Sequence, residues 1–66
     1  MTLRERLEKI PGVVVTREET RTITFFEVQI PWTTDPTTEY AIYDAELAAF
    51  NEDPNYHFDV RVLRER

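Results

Sequence analysis

Four prolines divide this chain into segments, because proline fixes one backbone torsion and cannot donate a backbone hydrogen bond. Pro11 precedes the single glycine of the chain and ends any helix that begins near the N-terminus. Pro31 ends a strand, since it donates nothing to a sheet ladder. Pro36 suits the first position of a helix, and Pro54 lies where that helix must end. The segments between the prolines accommodate two helices and three strands.

Two segments have the pattern of capped helices. In the first, three apolar residues recur at helical spacing: Leu3, Leu7 and Ile10. Thr2 and Glu5 form the pattern of a capping box before this stripe, which predicts a helix over residues 2–10. In the second, Asp35 offers a capping carboxylate before a helix-initiating proline, which predicts a helix over residues 36–51.

Three segments have the composition of strands. A run of three valines opens the first, which we expect over residues 13–18. The second is expected over residues 22–30, where Phe26, Val28 and Ile30 alternate with polar side chains. The third is expected over residues 56–63 and alternates most regularly, with four apolar residues on one face: Tyr56, Phe58, Val60 and Val62.

Some positions do not fit a regular pattern. Ile23 and Phe25 fall in the opposite phase to the rest of the second strand, so either a β-bulge lies near Phe25 and Phe26 or both faces are covered there. The turn around residues 18–21 lacks the signature of a two-residue hairpin, which predicts a longer loop. Trp32 is expected to fold back over the edge of the core.

These elements predict a single small α+β domain over residues 1–66, with the order helix, strand, strand, helix, strand. We expect a three-stranded, mostly antiparallel sheet with both helices packed on one face. The all-apolar run at residues 13–15 indicates a central first strand, and hence the spatial order 2-1-3. The alternative is order 1-2-3 with a right-handed parallel crossover through the second helix.

The composition excludes several classes of protein. The chain has no cysteine, so it contains neither a disulfide nor a thiolate metal site. Its 41% of hydrophobic residues is too high for a disordered chain. No long apolar run and no signal-peptide pattern occur, so we expect a cytoplasmic protein without a membrane span. With one histidine and one glycine, the chain predicts no metal site, no phosphate loop and no cofactor.

The charge distribution is one-sided. No lysine or arginine occurs between residues 22 and 60, and this stretch carries eight of the thirteen acidic residues. Such a field attracts a cationic protein surface and repels nucleic acid. We therefore expect a protein partner with a basic surface, or a second copy of the chain, and no nucleic acid. The alternative is that the acidity serves solubility and complements the helix dipole.

The second helix carries two apolar arcs, whereas packing on a sheet requires only one. One arc is large, with Tyr40, Tyr43, Leu47 and Phe50; the other is small, with Ala41, Ile42, Ala45, Ala48 and Ala49. Either could face the sheet. The candidate partner-binding residues are the large arc and the acidic residues beside it: Glu39, Tyr40, Tyr43, Asp44, Glu46, Leu47 and Phe50. The alternative is that the alanines are simply good helix formers that tolerate water.

No catalytic constellation is evident. His57 shares the polar face of the last strand with Asp59 and Arg61, but the chain has neither serine nor cysteine as a nucleophile. A polar ladder on a solvated face explains this pattern, and we expect no enzyme activity. The alternatives are an oligomeric enzyme or small-ligand protein with an interface pocket near His57, Asp59, Tyr43 and Tyr56, or a structural protein without a discernible activity.

Overall fold

The computed structural model describes residues 1–65, and Arg66 lies outside the described residues. The elements in chain order are α1 (Leu3–Glu8), β1 (Val14–Thr20), β2 (Thr24–Pro31), α2 (Pro36–Glu52) and β3 (Phe58–Glu65). The predicted α+β class and the element order are confirmed. Neither helix in residues 1–65 is long and apolar enough to cross a membrane.

Both helices begin at the caps that the sequence indicates. The Thr2 hydroxyl accepts from the Glu5 amide at 3.2 Å, and the Glu5 carboxylate accepts from the Thr2 amide at 3.0 Å. This reciprocal pair is a complete capping box. At α2 the Asp35 carboxylate accepts from the Thr37 amide at 3.0 Å. These local bonds fix where each helix starts and therefore how it enters the packed layer.

The three strands form one sheet in the order β1-β2-β3. β1 and β2 pair antiparallel, and β2 and β3 pair parallel through the α2 crossover. The expected order 2-1-3 is therefore wrong, and the alternative order 1-2-3 is the one observed. The valine run misled the prediction because Val13 is buried before β1 begins, whereas Val14 is 59% exposed on an edge strand.

The irregularity of the sheet lies on β1 and not on β2. The register shifts between Val15 and Arg17, which leaves Thr16 as the bulged residue; its hydroxyl donates to the Glu27 carbonyl at 3.1 Å. Phe25 and Phe26 pair in regular register with both β1 and β3, so the first alternative, a bulge near these two residues, is not observed. Phe25 instead points to the sheet face that carries no helix, and it is exposed. Thr20 pairs with Thr24, and the loop between them has three residues, 21–23. It is longer than a two-residue hairpin loop, as expected, but it lies later than the turn expected around residues 18–21, because β1 continues to Thr20.

One core lies between the helices and a single face of the sheet. α1 contributes Leu3 and Leu7, and the remaining buried residues are Val13, Phe26, Val28, Ile30, Ile42, Ala45 and Ala49. Glu52 joins the two helices at the surface, because its carboxylate pairs with the N-terminal ammonium at 3.1 Å and with Arg6. Trp32 is exposed, so the expectation that it covers the edge of the core is wrong.

Gly12 has a backbone φ of 84°, which L-residues with a side chain seldom adopt. A Cβ atom at this position would meet no other atom within 4 Å, so the backbone torsion alone determines the cost of a substitution. We expect Gly12→Ala to lower the free energy of unfolding by about 1–2 kcal/mol. Urea denaturation measures the change, and Gly12→Asn is the control, because asparagine tolerates this conformation better and should lose less. Equal stability of wild type and Gly12→Ala would contradict the positive torsion.

Candidate protein-interaction surface

Helix α2 enters the core through its small arc. Ile42, Ala45 and Ala49 are buried and belong to one core with residues of α1 and β2. Because alanine side chains are short, they let the backbone of α2 come close to α1. The question that the sequence leaves open is thus resolved: the small arc faces inward, and the large arc faces away from the core.

The large arc is exposed along the whole helix. Tyr40, Tyr43, Leu47 and Phe50, which we call the aromatic stripe, are 69%, 63%, 47% and 51% exposed. Their spacing puts them in one line that runs about 15 Å along the helix. Single exposed apolar residues are common on protein surfaces, but a contiguous row of large ones marks an interaction site far more often.

Strand β3 extends the apolar surface at one side of the stripe. A shallow groove of about 250 Å³ is lined by Tyr43, Glu46, Leu47, Phe50 and Phe58. The Phe58 ring is half-buried and packs edge-to-face on Tyr56, with 5.1 Å between ring centroids. Strand alternation assigned Phe58 to the core face, and Phe58 does pack against the core while it remains partly exposed. Sequence reasoning missed only that Phe58 also borders the stripe, for which the available signal was its place at the start of the last strand, directly after the α2 crossover.

The three acidic candidates on α2 have different environments. Glu39 forms an ion pair with Arg64, whose guanidinium also donates to the carbonyls of Trp32 and Thr34 at 3.2 and 3.0 Å. Glu39 therefore helps to hold α2 on β3. Asp44 and Glu46 form no ion pair within residues 1–65. Asp44 and Glu46 lie on opposite sides of the aromatic stripe. Ala45, which stands between them in the sequence, is on the buried face of the helix, so its two neighbours point to opposite flanks.

Glu46 is half-buried at the edge of the groove. Burial raises the pKa of its carboxyl above the ordinary value, and the negative charge of Asp59 raises it further. Asp59 lies on β3 in a separate depression that Arg17, Arg21 and Arg61 also line, whereas Glu46 forms no ion pair within residues 1–65. The Glu46 side of the stripe therefore has an unbalanced negative charge.

The other polar candidates lie on the sheet face that carries no helix. Asp59 and Arg61 pair in the parallel register with Phe25 and Glu27. His57 precedes the strand, is exposed, and accepts from the Thr24 amide through its carbonyl at 3.0 Å. Charges of both signs alternate across this face, as in a solvated polar ladder. No group of three or more acidic or histidine side chains within residues 1–65 is arranged to hold a metal ion.

A surface depression of about 520 Å³ lies between α1 and the end of α2. Most of its charged groups are already paired with one another or with neighbours. Arg4 donates to Glu8 at 2.9 Å and to Glu18 at 3.0 Å, and Glu52 holds the N-terminal ammonium. These ion pairs therefore hold α1 in place, and few charged groups of the depression remain free to bind a ligand.

No family model matches the chain, and no curated protein or solved structure is significantly similar to it.

The orientation of α2 can be tested with two substitutions on opposite faces. Ala49→Leu adds volume in the core, so we expect it to lower the free energy of unfolding by about 1–3 kcal/mol. Leu47→Ala removes volume from the exposed stripe, and its effect should stay below about 0.5 kcal/mol. Urea denaturation of both variants measures the difference. A larger loss for Leu47→Ala would mean that the aromatic stripe packs inward.

The raised pKa of Glu46 predicts a pH dependence of opposite sign to that of Glu52. The folded state holds the Glu46 proton more tightly than the unfolded chain, so this group contributes stability at low pH that is lost as pH rises through the folded pKa. The N-terminal ammonium and Arg6 lower the pKa of Glu52, so its contribution is present at neutral pH and is lost as pH falls.

Thermal unfolding between about pH 3 and about pH 7 separates the two effects. The melting temperature of Glu46→Gln should rise relative to wild type as pH increases, whereas that of Glu52→Gln should fall. Parallel curves for the two variants would show that Glu46 is not desolvated in solution.

Proposed function

We propose that this chain is a non-enzymatic interaction module that binds another protein through the aromatic stripe of α2. The observation that carries the proposal is the exposure of Tyr40, Tyr43, Leu47 and Phe50 on a helix whose opposite face already packs on the sheet. The fold does not need these four side chains for its core. Tyrosine and phenylalanine are the kinds of residue that anchor protein interfaces, because they bury a large area with few rotatable bonds.

The partner in this proposal presents a basic border around an apolar surface. α2 contains no lysine or arginine, and Asp44 and Glu46 border the stripe on both sides. Complementary charge would speed the encounter and orient the partner, while the apolar contacts would provide most of the affinity. A second copy of the chain fits less well, because two α2 helices would bring these acidic borders against each other. The proposed place of action is the cytoplasm, where a cysteine-free chain needs no oxidising environment.

The test compares matched aromatic substitutions on the two sides of the molecule. Proteins bound by the wild-type chain are purified, and their Kd values are measured with Tyr43→Ala and with Phe25→Ala. Loss of an interface anchor costs about 2 kcal/mol or more, so Tyr43→Ala should weaken binding by about thirtyfold or more. Phe25→Ala, which truncates an aromatic residue on the opposite sheet face, should leave the Kd within about threefold.

Two outcomes would contradict the proposal. Equal binding by wild type and Tyr43→Ala, with both folded by circular dichroism, would remove the stripe from the interface. A wild-type dimer that Tyr43→Ala converts to a monomer in sedimentation would show that the stripe serves self-association instead.

A further inference from the structure

We propose that the partner segment seated on the aromatic stripe is an amphipathic helix with basic residues beside its apolar seam. This inference rests on the proposed function and specifies the chemistry of the occupant. It is drawn from the repeat of the stripe, from the residues that border the stripe, and from the groove beside β3.

The stripe has the spacing of a helix-packing seam. Its members are separated by three, four and three residues, which are the alternating steps of the a and d positions in a heptad. Such a seam matches another helix that carries the same repeat, because side chains of each helix enter the spaces on the other. The inward face of α2 occupies the remaining positions with Ile42, Ala45 and Ala49, so the seam and the core do not compete for the same residues.

The positions beside the seam determine which helix it accepts. In the same heptad, Glu46 occupies a g position and Asp44 occupies an e position, whereas Glu39, at the preceding g position, is already paired with Arg64. Charges at e and g determine which helices associate with each other, since opposite charges attract and like charges repel. An acidic border on both sides of the seam therefore disfavours a second α2 and favours lysine or arginine at the corresponding positions of the partner.

The groove between α2 and β3 indicates where one of these cations would lie. The groove is lined by the apolar side chains of Leu47 and Phe58 and by half-buried Glu46. A lysine or arginine side chain can lay its aliphatic stem on such an apolar surface and extend its charged end to the Glu46 carboxylate. The approach of a cation would balance the charge of Glu46, which forms no ion pair within residues 1–65.

The test uses two synthetic helical peptides of about three heptads. Both carry leucine at a and d; one carries lysine and the other glutamate at e and g. Binding is measured by titration calorimetry, and the contact surface is mapped by amide chemical shifts. We expect the lysine peptide to shift α2 and Phe58 and to bind at least about tenfold more tightly than the glutamate peptide. Its affinity should fall between about 50 mM and about 500 mM salt.

Charge substitutions identify the residues responsible. The double variant Asp44→Lys, Glu46→Lys should reverse the preference so that the glutamate peptide binds more tightly. Glu27→Lys, which reverses one charge on the opposite sheet face, should leave the preference unchanged. Because the charge reversal at half-buried Glu46 could unfold the chain, the milder double variant Asp44→Asn, Glu46→Gln is measured as well, and it should reduce the preference for lysine by at least about threefold.

The outcomes separate this inference from the proposed function. Equal binding of both peptides at α2 would overturn the basic partner and leave the stripe as an interaction surface. A preference for lysine that survives both double variants, or no binding of either peptide, would also overturn the inference. Binding of the lysine peptide that Tyr43→Ala does not weaken would overturn the proposed function too. A stable wild-type dimer lost in Tyr43→Ala would assign the stripe to a second copy of the chain.

Discussion

The burial of the small face of α2 in the core that it shares with α1 and β2 is the constraint on which the rest of the structure depends. Ala45 and Ala49 let α2 lie close to α1, and most of the larger core side chains come from β2 and α1. A helix in this position can bridge β2 to a parallel β3 on the same side of the sheet. Burial of the small face leaves the large side chains of α2 outside the core. The fold and the exposed stripe therefore both follow from which face of α2 is buried.

Local signals in the sequence predicted the elements, because their causes are local. The capping box at Thr2, the Asp35 cap and the positions of the prolines act over a few residues and can be recognised without a structure. The strand order could not be recognised in this way. The valine run resembles a central strand, yet central position depends on which strand has two neighbours, and that is decided by the α2 crossover. Alternation in β2, whose inward residues are all buried, was the better guide to the centre.

The candidate surface was predictable as a pair of arcs but not as an oriented face. Helical periodicity placed Tyr43 and Leu47 together, whereas only the packed sheet shows that they face away from it. Two features depend on residues distant in the sequence. Glu39 was expected to steer a partner, but its pairing with Arg64 makes it part of the fold. Glu46 acquires its raised pKa from burial and from Asp59 on another element, which no spacing rule relates to α2.

The parallel pairing of β2 with β3 has a consequence for the order of folding events. Thr20 and Thr24 of the hairpin meet across a three-residue loop, whereas Thr24 and Phe58 pair across the whole α2 crossover. Closing the longer loop costs more entropy and is slower, so we expect β3 to join the sheet after the hairpin has formed. The groove that contains Phe58 is completed only at that step. A partner that requires this groove would thus bind the fully folded chain and not its folding intermediates, so binding would indicate that folding is complete.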